Sequence, residues 1–359
     1  MRIIEEVLQN YALEGQVNSC ERYGSGHINE TYLVKTDRKN YILQKINSSI
    51  FKNVPALMDN IEAVSKHLKN KGYDERHNLS IVYTKDGRHH VHMQDGSYWR
   101  VYHFVTDSIS LNLCQSAQDF YHSAAGFGTF QSLLYDFDAD VLTETIPRFH
   151  DTPDRYRQLH AAIAADPLHR VEEAKEEIAF ALSQEKNAGF LMDLLQKGEL
   201  PLRVTHNDTK LNNVMLDAQT RKPICIIDLD TVMPGLVAND FGDSIRFGAS
   251  TALEDEQDLD QVELSLDLFD IYTKGFLEHC GKYLTEKEID TLPYGAKLMT
   301  LECGVRFLTD FLNGDTYFRV SREKHNLIRC RTQFKLVQRI NENLNVLHAI
   351  IQKYKQSLQ

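Results

Sequence analysis

The stretch Val204-Thr205-His206-Asn207-Asp208-Thr209-Lys210-Leu211-Asn212-Asn213, followed by Ile226-Ile227-Asp228-Leu229-Asp230, constrains this chain more than any other segment. It fixes the order of an aspartate, a downstream asparagine and a second aspartate at the end of the apolar run Ile224-Cys225-Ile226-Ile227. A carboxylate such as Asp208 can accept a hydrogen bond from a hydroxyl and aim that hydroxyl at an electrophile. The Asn213 amide oxygen and the Asp228 carboxylate are hard oxygen donors suited to Mg²⁺ with room left for phosphate oxygens. His-x-Asp-x-x-x-x-Asn and then an acidic residue is a layout that points to phosphoryl transfer, where protein groups mostly position reactants and stabilise charge.

The bulk properties agree with such a reading. The chain of 359 residues is long enough for two lobes. At 42% hydrophobic and 25% charged residues it is neither disordered nor a membrane protein in composition. No apolar run approaches the ~20 residues of a membrane helix. Acidic Glu5 and Glu6 stand where a signal peptide would be apolar. The six cysteines are scattered without a C-x-x-C pair, as expected of reduced thiols in a cytoplasmic protein. A net charge of −11 with no basic stripe argues against nucleic acid as a partner. It does not oppose ATP, whose phosphates are neutralised by Mg²⁺ and a few local donors. Oligomeric state is open.

Pattern along the chain predicts two regions. Residues 1–105 read as an antiparallel sheet with one main helix. A helix over about 55–69 places Leu57, Ile61, Val64 and Leu68 on one face. Residues 81–105, punctuated by Asp86-Gly87 and Asp95-Gly96, read as a three-strand meander. Residues 106–359 read as mainly helical around the catalytic loop. Helical periodicity runs over 117–135 and 171–196, Pro153 sits just inside a helix start, and one long amphipathic helix begins at Leu327. The fold class expected is α+β and protein-kinase-like, with an antiparallel N-lobe that binds nucleotide and a mainly helical C-lobe.

Further residues take candidate roles around this loop. His206 would support it by hydrogen bonding, and Lys210 could reach a transferring phosphoryl group. Asp230, two residues past Asp228, would point the same way if both lie on a strand. Gly24-Ser25-Gly26, between two N-terminal strands, is a candidate phosphate-covering loop. Gln44 stands where the kinase β3 lysine is expected, and Lys45 points to the other sheet face. Backbone groups near Phe104 and Val105 would meet adenine. Asp240 and Asp243 could order the catalytic loop. Arg246, Arg306 and Arg319 are candidate donors to the acceptor or phosphate; for Arg306 an i,i+4 pair with Glu302 is the structural alternative.

The loop 205–213, the Ile227–Asp230 segment and the run Asp240-Phe241-Gly242-Asp243-Ser244-Ile245-Arg246-Phe247-Gly248 together resemble the N-acetylhexosamine 1-kinases of bifidobacteria. Those enzymes fall within the aminoglycoside phosphotransferase and choline kinase group. The likeness extends to Gly26-His27-Ile28-Asn29, Trp99-Arg100-Val101-Tyr102, Phe149-His150-Asp151 and Glu302-Cys303-Gly304 with Arg306. It implies Mg-ATP-dependent phosphorylation of GlcNAc or GalNAc at the anomeric hydroxyl, giving ADP and a sugar 1-phosphate. It carries the catalytic role to Asp208 and metal binding to Asp228. It also implies sugar contacts from Asp208 and Arg306, with His27, Asn29, Asp240 and Tyr317 nearby.

Overall fold

The computed structural model describes residues 2–24 and 28–358. In chain order the elements are α1 (Arg2–Leu8), β1 (Val17–Arg22), β2 (Glu30–Thr36), β3 (Asn40–Ile46), α2 (Val54–Asn70), β4 (Ile81–Val82), β5 (Val91–His92), β6 (Tyr98–His103) and β7 (Ser108–Ile109). They continue as α3 (Ala117–Leu133), α4 (Thr152–Ala165), α5 (Lys175–Gln184), α6 (Phe190–Gln196), β8 (Arg203–Thr205), β9 (Val214–Asp217), β10 (Pro223–Ile226) and β11 (Met233–Gly235). The last helices are α7 (Val237–Gly248), α8 (Leu266–Cys280), α9 (Glu286–Leu312) and α10 (His325–Gln356). No helix among the described residues is long and apolar enough to cross a membrane.

The chain divides into two units. The first comprises 1–110, 133–147 and 213–234; the second comprises 111–132, 148–212 and 235–359. The first unit thus extends past the expected sequence boundary at 105 and takes in two later segments, one of which carries Asn213 and Asp228.

In the first unit the sheet runs β1-β2-β3-β6-β4, all antiparallel, with β5 also pairing β6. The expected meander does not form. Ile81 and Val82 pair Tyr102 and Val101, while Val91 and His92 pair Trp99 and Tyr98. Both short strands therefore lie along one edge of β6 instead of on each other, because β3 already occupies its opposite edge. The period-2 alternation of β3 and β6 sorts their side chains to two faces. Tyr41, Leu43, Trp99 and Val101 are buried together with Val7 and Tyr11. The opposite face carries Gln44 and Arg100, which are direct cross-strand partners.

Helix α2 starts at an Asn53 cap that accepts the Ala56 amide, with a proline in its first turn. Its Leu57, Ile61 and Val64 are fully buried, as the helical spacing predicts. On the same helix, Asn60 Nδ2 donates to the carbonyls of Thr143 and Val232, at 2.8 and 3.0 Å. The helix is thereby tied to the segment that follows Asp228.

The second unit is built on helix packing. Helix α10 lies along α9, burying Leu327, Cys330, Phe334 and Val337 within one core that also holds Leu301, Val305 and Leu308. Its apolar stripe is intramolecular packing. Helix α7 approaches α9 at backbone contact. A Cβ on Gly242 would lie 2.2 Å from the Gly295 carbonyl oxygen, and one on Gly295 would lie 1.9 Å from the Ala238 carbonyl oxygen. Only glycine permits that approach. The helical periodicity over 171–196 is interrupted: α5 ends at Gln184, and a 3₁₀ turn at Glu185–Asn187 precedes α6.

Candidate active site

The second unit holds the candidate catalytic loop up to Asn212. Asp240, in the first turn of α7, lies beneath it and is 2% exposed. Its carboxylate accepts the backbone N–H groups of His206 and Asn207, each at 2.8 Å, and the Gln131 side-chain amide at 3.0 Å. One turn on, Asp243 accepts the Thr209 N–H at 3.0 Å, and Ser244 Oγ donates to the Thr209 carbonyl. Asp240 is thus engaged below the loop by three donors, two from the loop backbone and one from Gln131. Its ordering role is the one that its position permits. Burial raises the Asp240 carboxyl above its ordinary value, against the opposing pull of His206 and the two amides.

His206 is fully buried, packs edge-on to Phe127, and accepts the Asp208 N–H on Nδ1 at 3.3 Å. Asn207 has φ +62, a left-handed conformation that its two side-chain and backbone anchors hold. The loop therefore presents Asp208 with its carboxylate partly exposed, at 24% of the side chain. Lys210 Nζ is 2.8 Å from Asp208 Oδ1. Burial works to raise the Asp208 carboxyl, yet Lys210, with His206 and Arg246, holds it below its ordinary range. Asp208 raises the Lys210 ammonium above its own ordinary value in turn. Arg246 is buried against Asp243 and Glu254 at 3.0 and 2.9 Å, so its guanidinium is a structural tie.

A second layer of the loop links it to a group of aromatic side chains. His150 lies 3.3 Å from the Asn207 carbonyl through Nε2 and 2.9 Å from Glu302 Oε1 through Nδ1. Thr152 donates to the other Glu302 oxygen at 2.9 Å. Arg306, one turn along α9, does not make the i,i+4 pair with Glu302, because His150 and Thr152 hold that carboxylate. Its guanidinium instead lies 5.4, 5.7 and 5.4 Å from the ring centres of Phe149, Tyr317 and Phe318. The Tyr317 hydroxyl accepts from Arg306 at 3.4 Å, and Tyr317 is 58% exposed.

The first unit holds the candidate metal and nucleotide residues. Strands β9 and β10 pair Val214 with Ile226, and the Ile227 N–H donates to the Asn213 carbonyl at 2.9 Å. Asn213, just before β9, is thereby brought beside Asp228, just after β10. Asp228 has φ +60 and is followed by a 3₁₀ turn at Leu229–Thr231. The segment is not strand, so Asp228 and Asp230 diverge. The Asp228 side chain is exposed, whereas Asp230 is 3% exposed. Asp230 accepts from Asn29 at 2.5 Å and pairs with Arg100 at 2.5 Å. Asn29, implied as a sugar contact, is in this unit engaged by Asp230 and by the Asn47 amide.

Two protein oxygens, one neutral and one anionic, fit a Mg²⁺ ion that takes its remaining ligands from nucleotide phosphates and water. Among the described residues no group of three or more His, Cys, Asp or Glu could hold a metal alone. Gly24 has φ +74, a left-handed backbone that glycine adopts without strain. Ser25, Gly26 and His27, expected as covering-loop and sugar residues, lie outside the described residues. Tyr23 meets Phe104 edge-on at 6.1 Å. The Phe104 N–H donates to the Asn40 carbonyl at 3.3 Å, so that amide serves the sheet, and the Val105 carbonyl accepts Ser108 Oγ. Gln44 donates to Thr31 Oγ1 at 3.0 Å and accepts from Arg100 Nε at 2.9 Å. Lys45 points to the opposite face, 3.9 Å from Glu30 and 5.9 Å from the Trp99 ring, as strand phase requires.

Arg100 and His150 lie in segments that carry the family resemblance but have no role assigned from sequence, and Gln131 lies in none of them. For Arg100 a signal existed: a charged residue between Trp99 and Val101 in a central strand is out of place unless paired.

Comparison with known proteins follows the same lines. A profile described as "Phosphotransferase enzyme family" matches residues 19–273. The microcompartment-associated aminopropanol kinase is 15% identical with a TM-score of 0.59, over 97% of this chain and 98% of that one. Amicoumacin kinase, solved with AMP-PNP, Ca²⁺ and amicoumacin, is 14% identical with a TM-score of 0.60, over 93% of this chain and 92% of that one. The choline kinase from Streptococcus pneumoniae is 16% identical with a TM-score of 0.53, over 96% and 98% of the two chains. These likenesses show a shared protein-kinase-like α+β fold. With that fold and the profile match over most of its length, the chain belongs to the phosphotransferase enzyme family.

Proposed function

We propose that the protein is an ATP- and Mg²⁺-dependent kinase that phosphorylates N-acetylhexosamines at the anomeric hydroxyl, giving an N-acetylhexosamine 1-phosphate and ADP. Asp208 accepts the hydrogen bond of the C1 hydroxyl and takes up its proton as the oxygen bonds to the γ-phosphorus and the bond to ADP breaks. An anomeric hydroxyl is more acidic than an ordinary alcohol, so a carboxylate held at low pKa suffices as a late proton acceptor. Lys210, already beside Asp208, neutralises charge growing on the phosphoryl oxygens. Asn213 and Asp228 hold Mg²⁺, which when bound neutralises charge on the nucleotide phosphates.

The observation that carries the acceptor class is Arg306 against Phe149, Tyr317 and Phe318. Aromatic faces that could otherwise receive a quaternary ammonium or aminoglycoside amine already hold a guanidinium. A cationic acceptor would meet like charge there, whereas a neutral sugar finds hydrogen-bond donors and flat apolar surface. His150, joined to the Asn207 carbonyl, links this group to the catalytic loop.

The test is ³¹P NMR of the protein with Mg-ATP and GlcNAc or GalNAc. An anomeric sugar 1-phosphate signal supports the reading. Turnover only with choline, homoserine or an aminoglycoside keeps a small-molecule kinase and overturns the sugar.

A further inference from the structure

Kinases of this chemistry place a lysine on β3 to hold the nucleotide phosphates. Here that position is Gln44, and β3 pairs both neighbours without a register shift, so no bulge turns Lys45 inward. The cation on that face comes from the next strand. Arg100 on β6 is the direct partner of Gln44, and its side chain is 1% exposed. Its Nε donates to Gln44 Oε1 at 2.9 Å, Nη1 lies 2.5 Å from Asp230 Oδ1, and the same nitrogen approaches Met58 Sδ at 3.8 Å.

A buried guanidinium carries a large desolvation penalty and persists only with excellent pairing. Burial works against the Arg100 charge, but Asp230, Tyr102 and Asp228 hold it well above the ordinary range. Asp228 is thus near enough to feel this cation. A second observation points outward from the pair. The Tyr102 hydroxyl, two residues along the same strand face, is buried and has no hydrogen-bond partner among the described residues. The Arg100 guanidinium stands 5.0 Å from the Tyr102 ring. Orphaned buried hydroxyls are rare where no ligand or water completes them.

We propose that Arg100 is the positioning residue for the candidate metal and nucleotide residues of the first unit: from β6 it supplies the buried cation that a β3 lysine supplies in other kinases, clamping Asp230 and, through it, the turn that aims Asp228. This rests on the kinase reading and not on the identity of the acceptor. Two geometric consequences follow. The fork of Arg100 bridges β3 to the Asp228–Asp230 turn, which one ammonium cannot do as well. The charge also sits at a register position where a lysine on β3 could take its place.

The test uses the full chain without acceptor. Calorimetric titration with ADP across a Mg²⁺ series gives nucleotide affinity and the Mg²⁺ midpoint; thermal melting of the ligand-free protein reports folding. For Arg100→Gln we expect Mg-ADP affinity to fall about tenfold or more and the Mg²⁺ midpoint to rise, as for loss of a buried charge contact. The transposed variant Gln44→Lys/Arg100→Gln moves the cation to β3, and should recover affinity to within about threefold of wild type. Recovery of the ligand-free melting temperature without recovery of Mg-ADP affinity and the Mg²⁺ midpoint would mark a purely structural tie and overturn the proposal.

Folded Arg100→Gln with wild-type affinity and Mg²⁺ midpoint overturns the proposal, as does a folded double variant no better than the single. Should Arg100→Gln not fold, Arg100→Lys decides. It keeps the charge and loses the fork, so its Mg²⁺ midpoint should shift about threefold or more, and an unchanged midpoint overturns the assignment. Wild-type protein that binds no Mg-nucleotide would instead sink the kinase chemistry itself.

Discussion

Asp240 Oδ1 accepts the backbone N–H of Asn207 at 2.8 Å, fixing a residue at φ +62 immediately before Asp208. Its second oxygen does the same for His206, so one buried carboxylate sets the direction in which Asp208 leaves the loop. Asp240→Asn would turn an NH₂ group toward one of those amides, leaving a buried donor unpaired. We expect a stability loss of about 1–3 kcal/mol by denaturant titration. We also expect kcat to fall about a hundredfold, with acceptor-free ADP affinity unchanged.

Asp208 sits below its ordinary value of 3.8 because Lys210, His206 and Arg246 overcome the effect of burial. A depressed carboxyl stays ionised as pH falls, until pH passes its lowered value. Turnover should therefore show no acid limb from this group between about pH 7 and pH 5. Lys210→Ala removes the principal cation, so the acid limb should move upward. Asp208→Asn should lower kcat by about a thousandfold while the nucleotide still binds. Profiles of kcat against pH for the three proteins check all of these.

Burial opposes, but His150 prevails, in holding Glu302 below its ordinary value of 4.5. The sign is that of a depressed carboxylate: the stabilisation is complete above the unfolded value and fades as pH falls through the folded one. Glu302→Gln should lose about 3 kcal/mol at pH 7. The gap to wild type should narrow below about pH 4.5, read by urea titration at each pH.

Gly295→Ala tests the approach of α7 to α9. Its Cβ would fall 1.9 Å from the Ala238 carbonyl oxygen, and neither partner is a flexible side-chain tip. A loss of about 3 kcal/mol is expected, with kcat reduced because α7 carries Asp240 and Asp243.

Arg306→Ala should raise the acceptor KM about tenfold with kcat within about threefold, the pattern of lost ground-state binding. Unchanged acceptor kinetics would remove Arg306 from the acceptor site. The ATP KM should not move.

The helical faces were legible because burial follows a fixed period. Leu57, Ile61 and Val64 on α2, and Leu327, Cys330 and Phe334 on α10, are buried as their spacing implies. Pairing of short strands was not legible in the same way. Two-residue strands such as Ile81–Val82 and Val91–His92 have no period of their own, and their partner was decided by the vacant edge of β6. Strand phase did place Gln44 and Lys45 on opposite faces, yet it misplaced Asp230, because the left-handed Asp228 ends the strand before the alternation can continue.

By itself, the sequence determined the chemistry-bearing types and their order: Asp208, Asn213 and Asp228 at fixed spacing, with a glycine turn upstream and no lysine in phase at position 44. Those are local facts, carried by a loop and a strand end. Only the tertiary structure decided which distant groups hold them. Asp240 reached the loop amides, Arg100 reached Asp230, and His150 reached both Glu302 and Asn207. Such partnerships form because a buried charge or amide must be paired wherever the chain happens to supply a partner. Sequence separation leaves no trace of that choice, and packing makes it.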